Sequence, residues 1–109
     1  MGTDTLRMPT GTGSEIAEVV LPAAVVATTS PEVRALLHDA VDSGTGPLVL
    51  DLARVERLDV VGLGVLMGAH RRGAARGRPV RVVRPARRVA AVLRVTGLDR
   101  VLCPRRPLS

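Results

Sequence analysis

Short apolar runs alternate along the chain with segments of helical periodicity. The apolar runs predict strands over 15–21, 24–28, 48–52 and 79–83, with Pro22 separating the first two. The run over 48–52 is nearly all apolar, which is typical of a strand buried on both faces of a parallel sheet.

The first helical segment follows Ser30. Serine is a favoured N-cap and Pro31 suits the first helical position, so the pattern predicts a helix that begins here and ends in the polar, glycine-containing stretch 42–46. Its apolar stripe recurs at helical spacing. The stripe comprises Val33, Leu36, Leu37, Ala40 and Val41.

Two further helices are predicted, over 60–76 and from Pro85 to a glycine stop at Gly97, followed by a short turn over 98–102. In the first of these helices, one side is predicted to carry Leu63, Leu66, Met67, His70 and Ala74. In the second, the residues predicted to face inward are Val89, Val92, Leu93 and Thr96.

The alternation of strands and helices predicts an α/β fold, with a mixed, partly parallel sheet of about four or five strands and helices packed on it. A single domain is expected over 15–102 because 109 residues suit one core. Residues 1–14 are interpreted as a disordered leader without the apolar segment of a secretion signal, and 103–109 as a flexible tail.

Composition limits the classes of partner that the chain can be expected to bind. The net charge is +6, every basic residue is arginine and aromatic residues are absent. Most of the arginines between positions 71 and 88 are expected, from their helix and strand spacing, to face solvent. No aromatic side chains accompany them on which the bases of a nucleic acid could stack. Nucleic acid is therefore an unlikely partner, but a basic module that binds an acidic polymer or surface stays open as an alternative function.

No pattern of a catalytic or cofactor site is present. His38 and His70 lack ligands at metal-binding spacing, so no metal and no cofactor are expected, and the chain is predicted not to be an enzyme. Gly62, Gly64 and Gly68 do not match a nucleotide-binding fingerprint and are predicted to allow close helix packing instead. The single cysteine, Cys103, and the lack of an apolar run long enough to span a membrane favour a cytoplasmic protein.

Four segments together resemble the STAS domain family of anti-sigma factor antagonists, also called anti-anti-sigma factors. The segments are 30–34, 48–52, 58–66 and 89–102, and their order and spacing match the family from about residue 15 to residue 102. The resemblance implies a bacterial regulator of transcription that binds an anti-sigma factor which is also a serine kinase. In such relatives the kinase phosphorylates a serine at the start of the second helix, which releases the complex.

The chain departs from this family pattern at two positions. Val61, in the motif Asp59-Val60-Val61-Gly62, stands where the phosphorylatable serine is expected, so phosphorylation there is impossible. By spacing, Val26 replaces an acidic residue that the family carries on the same surface. Both changes predict an apolar surface without the charge switch that phosphate provides.

The resemblance places a partner-binding surface at Thr29, Asp59, Val60, Val61, Gly62 and Leu63. Two functions stay open: permanent binding of an anti-sigma factor, or a diverged assembly or decoy module, such as a subunit of a stress-signalling or phospholipid-trafficking complex. Two individual residues also have a structural interpretation. Asp59 is expected to cap the second helix, and Ser30 to cap the first, although Thr28, Thr29 or Ser30 are candidates for a substitute phosphorylation site.

Overall fold

The computed structural model describes residues 6–7 and 16–103. The strands are β1 (Leu6–Arg7), β2 (Ala17–Val20), β3 (Ala24–Val25), β4 (Leu48–Asp51), β5 (Arg57–Leu58) and β6 (Val80–Val83). The helices are α1 (Ser30–Asp42), α2 (Val60–Ala75), α3 (Arg87–Val95) and α4 (Asp99–Leu102), and a single 3-10 turn covers Ala27–Thr29.

The main sheet has the order β1-β2-β4-β6, and β2, β4 and β6 run parallel. Every residue of β4 is buried, as expected for the central parallel strand. A separate parallel pair, β3 and β5, lies beside the start of α2. The predicted α/β class and the mixed, partly parallel sheet are confirmed.

One aliphatic core joins the sheet and the helices. The sheet contributes Val19, Leu48, Leu50, Val80 and Val82, and the helices contribute Val33, Leu37, Leu66, Val89, Leu93 and Leu102. In α2 the buried side also includes Val65, Ala69 and Gly73, which the predicted stripe omitted. Ala74, a member of the predicted stripe of α2, is exposed. Thr96, predicted to face inward, is exposed as well, and its hydroxyl donates to the backbone of its own helix.

Three short elements differ from the predicted boundaries. The expected strand 24–28 ends at Val25, because the Thr29 hydroxyl accepts from Val26 N and donates to Ala24 O, and so turns the chain. Residues 53–58, for which the sequence predicts no strand, contain β5, which pairs with β3. Leu6–Arg7, in the predicted disordered leader, form a strand antiparallel to β2.

The structure describes only part of the predicted leader and of the predicted tail. The rest of the leader 1–14 and the tail 104–109 lie outside the described residues. Cys103, placed in the flexible tail by the sequence, is half-buried, and its backbone N–H donates to Asp99 O. It packs against the hydrophobic core.

Candidate functional site: the first turn of α2

Asp59 joins the start of α2 to the turn before α1. One carboxylate oxygen, Oδ1, accepts from Gly62 N at 2.9 Å, and the other, Oδ2, accepts from Ala27 N at 3.0 Å. The bond to Gly62 confirms that Asp59 is the N-cap of α2. The hydrogen bonds from Gly62 and then Ala27 lower the pKa of Asp59, because they stabilise the charged carboxylate.

Gly62 brings the backbone of α2 directly against β3. A Cβ atom on Gly62 would lie 1.9 Å from Val25 O, closer than any side chain permits. The prediction that small residues allow close packing is therefore confirmed at Gly62, but it is wrong for Gly64 and Gly68, whose Cβ positions are open. Gly73 has the second close approach, with a Cβ position 2.4 Å from Val80 Cγ2.

Two valines at this helix start face solvent. Val60 is 79% exposed and Val61 is 38% exposed, although both are aliphatic. Ala27 and Thr28, on the turn that Asp59 ties to α2, are exposed as well. We call these four residues the valine rim. Gly62 and Leu63, which also belong to the predicted partner-binding surface, are buried and are not part of the exposed valine rim.

The three hydroxyl residues next to this surface differ in their bonding. The Thr29 hydroxyl is held by Val26 N and Ala24 O, and the buried Ser30 donates to Ala27 O. Ser30 is thus the first residue of α1 rather than its predicted cap, and Thr29 takes the cap position without a side-chain bond. Thr28 is left as the exposed hydroxyl of the valine rim.

Val26 does not belong to the exposed surface. It is only 7% exposed, so the aliphatic residue at this position adds to the buried interior and not to an apolar patch. The expectation that both departures from the family pattern make the surface apolar is therefore wrong for Val26 and holds for Val61 alone. Sequence spacing alone could not tell which way the Val26 side chain points.

Several arginines between positions 71 and 88 are not simply solvated. Arg78 is 2% exposed. Its guanidinium donates to Ala40 O and Val41 O, which are carbonyls in the last turn of α1, and to Gly46 O in the loop that follows α1. Arg72 and Arg76 both pair with Asp42, also at the end of α1. These contacts connect the end of α1 to α2 and to the loop that follows α2.

A second ion-pair network closes the carboxyl edge of the main sheet. The Arg84 side chain donates to Asp51 Oδ2 at 2.8 Å and also to Glu18. These bonds hold Arg84 in a left-handed conformation, with φ of 55°. The Arg84 hydrogen bond lowers the pKa of Asp51, and Asp51 also accepts from Ala53 N.

Within residues 16–103, no three histidine, cysteine or acidic side chains come together as a metal site would require. Over the described residues, no helix has the length and apolar character that crossing a membrane requires. His38 and His70 are each half-buried, on separate helices.

Comparison with known proteins identifies the family. A family model described as "Mlab, STAS domain" matches residues 13–104. The chain belongs to the STAS domain family. No curated protein sequence matches the chain.

Solved structures share this STAS fold at low sequence identity. A putative anti-sigma factor antagonist from Thermotoga maritima has a TM-score of 0.74 and 20% identity, over 93% of this chain and 84% of that one. The antagonist SpoIIAA in its unphosphorylated form has a TM-score of 0.70 and 22% identity, over 88% of this chain and 82% of that one. The phosphorylated form of Bacillus SpoIIAA has a TM-score of 0.65 and 20% identity, over 88% and 85%.

The sequence had pointed to Asp59, Val60 and Val61, and the structure brings them together with Thr29 around one helix start. Ala27, whose N–H donates to the second carboxylate oxygen of Asp59, was not predicted from the sequence. The two residues are 32 positions apart, and an alanine gives no sequence signal of such a contact.

Proposed function

We propose that this STAS domain is a non-enzymatic antagonist which binds an anti-sigma factor of the serine-kinase type through the valine rim. The observation that carries the proposal is the 79% exposure of Val60 beside the half-exposed Val61, at a helix start fixed by Asp59. The structural likeness to anti-sigma factor antagonists supports the choice of partner.

The physical case rests on rigidity and apolar area. Burial of exposed aliphatic surface contributes about 25 cal/mol per Å² when a partner covers it. The double tie of Asp59 to Gly62 and Ala27 fixes the backbone on which the valines stand. Less conformational freedom is therefore lost on binding, and this favours affinity.

The same surface lacks the usual release mechanism. Val61 has no hydroxyl to accept a phosphoryl group, so a kinase partner cannot add charge at this position. We therefore propose that the complex persists in the presence of ATP. Regulation would then act through the amount of the domain or through the partner.

A second candidate function is that of an assembly subunit, in which the valine rim contacts a protein other than an anti-sigma factor. The matched family description, which names Mlab, favours this alternative. The two functions predict the same surface but different partners.

Binding of purified anti-sigma kinases from the native host tests the proposal, with isothermal titration calorimetry as the measurement. Val60→Asp is expected to weaken binding by about tenfold or more, because it places a charge in an apolar contact. Val101→Asp is the matched control, since Val101 is an exposed valine on α4, 38% exposed, and belongs to neither the valine rim nor α3. Failure of the wild-type domain to bind any such kinase would leave the assembly function as the better account, and equal losses in both variants would remove the valine rim from either.

A further inference from the structure

Helix α3 carries a basic outer face that the antagonist function does not use. Its buried side is formed by Val89 and Leu93. By helical periodicity, the residues on the opposite side are Arg87, Arg88, Ala91, Arg94 and Val95. We call them the α3 face.

The positive charges of the α3 face are not neutralised by acidic side chains of the described residues. Arg87, Arg88 and Arg94 are exposed and form no ion pair within the part of the chain that the structure describes. Helix α3 contains no acidic residue, and two of these arginines occupy its first turn, where the helix dipole disfavours positive charge. Arg87 and Arg88 thus oppose the stability of the helix, whereas Arg94 in the last turn complements the dipole. Unfavourable charges that remain exposed at a helix start are expected of a surface that has an external partner.

Apolar features accompany the charge. Val95 is 85% exposed, more than any other large hydrophobic residue of the described chain. A cavity of about 330 Å³ opens beside the first turn of α3, with a lining of Ala53, Val55, Glu56, Ala86, Arg87 and Arg88. Ala53, Val55 and Ala86 give the cavity an apolar part that suits an aliphatic side chain, while Arg87 and Arg88 outnumber Glu56 and leave its rim positively charged.

We propose that the α3 face and this cavity bind an acidic, amphipathic segment of a protein partner. Such a segment supplies carboxylates for the arginines, which pair with them through two parallel hydrogen bonds, and an apolar side chain for the cavity. A second copy of this chain is disfavoured because the net charge of +6 makes copies repel one another.

Other acidic partners match only part of the surface. Nucleic acid offers phosphates but no use for Val95, and the chain has no aromatic residue on which bases stack. An anionic membrane would call for bulky apolar side chains on the helix, of the kind that insert at the interface, and the outer face of α3 has one valine. This inference is independent of the valine rim and of the partner proposed for it.

The test uses the full chain, labelled with ¹⁵N, and a synthetic helical peptide of about 15 residues that combines Glu and Leu. A matched peptide has Gln in place of every Glu. NMR shifts on addition of the Glu peptide are expected to concentrate on α3 and on the cavity residues. The Glu peptide should bind at least about tenfold more tightly than the Gln peptide.

Two double variants locate the site. Arg88→Glu with Arg94→Glu is expected to weaken Glu-peptide binding by about tenfold or more. The control pair, Arg34→Glu with Arg71→Glu, changes the net charge equally, on exposed positions of α1 and α2, and should leave binding nearly unchanged. Because Arg88 and Arg94 are exposed, both double variants should fold, which circular dichroism checks.

The proposal is overturned if the Glu peptide produces no shifts on α3, or if both double variants bind it equally. It is also overturned if vesicles of phosphatidylglycerol and phosphatidylcholine, or a DNA duplex, bind more tightly than the peptide through Arg88 and Arg94. Those outcomes would assign the α3 face to a lipid surface or to a nucleic acid.

Discussion

Helices α2 and α3 begin in contrasting ways. The first turn of α2 has a carboxylate cap, Asp59, which satisfies two backbone N–H groups and leaves an uncharged aliphatic surface outside. The first turn of α3 follows Ala86, which provides no side-chain hydrogen bond, and it exposes Arg87 and Arg88. The start of α2 thus has its backbone N–H groups capped and an apolar surface, whereas the start of α3 has no side-chain cap and carries exposed positive charge.

This contrast indicates two kinds of contact. A rigid apolar start suits a partner that covers it and excludes water, and its affinity should depend little on salt. A basic start suits an acidic partner, and its affinity should fall as ionic strength rises. Substitutions at one helix start or the other can therefore distinguish the contributions of the two surfaces to binding and stability.

The largest expected effect is on the close packing of α2. Gly62→Ala should lower the free energy of unfolding by about 3 kcal/mol, because a Cβ atom there meets Val25 O and the backbone must move. Gly68→Ala, in the same helix with an open Cβ position, should instead raise it by about 0.5–1 kcal/mol. Urea unfolding of both variants measures the difference, and similar effects at the two positions would show that α2 does not press against β3.

A smaller loss is expected when the two bonds of Asp59 are removed in turn. Asp59→Asn keeps an acceptor for Gly62 N but cannot also accept from Ala27 N, whereas Asp59→Ala loses both. The melting temperature should therefore fall in the order wild type, Asn, Ala. An Asn variant as stable as wild type would show that the tie to Ala27 contributes nothing.

The same carboxylate gives a pH dependence. Its pKa is lower in the folded chain, so the unfolded chain takes up the proton first. The stability that Asp59 contributes is full above about pH 4 and is lost as the pH falls through the folded pKa. The gap in melting temperature between wild type and Asp59→Ala should hence narrow in acid, and a gap that is constant with pH would contradict the assignment.

The smallest effect is expected at the start of α3. Arg88→Glu should stabilise the chain by about 0.3–1 kcal/mol, because a negative charge in the first turn complements the helix dipole. Thermal unfolding at low salt measures it, and the gain should shrink at high salt. A destabilised variant would mean that Arg88 makes a structural contact and that the α3 face is not held for a partner.

The sequence was most informative where the signal is local or periodic. The stripe of α1, the buried strand β4 and the cap at Asp59 each follow from neighbouring residues, and all three are confirmed. The pairs β3–β5 and β1–β2 were not predicted, because strands of two residues form through partners distant in the chain.

Side-chain burial away from the periodic segments was equally hard to predict. Arg78 reads as one more arginine in a basic stretch, yet it is buried against carbonyls at the end of α1, more than 30 positions away. Val26, which spacing predicted to lie on the partner surface, is instead buried. Such positions depend on tertiary contacts that no short pattern encodes.

The central claim is that the start of α2 holds a partner without the phosphate switch. Its most direct test incubates complexes of wild type and Val61→Ser with the anti-sigma kinase and ATP, and follows both phosphate incorporation by mass spectrometry and survival of the complex. We predict that the wild-type complex persists without phosphate, while Val61→Ser gains phosphate at the new hydroxyl and dissociates. Release of the wild-type complex by ATP, with phosphate at another rim residue such as Thr28, would contradict the account.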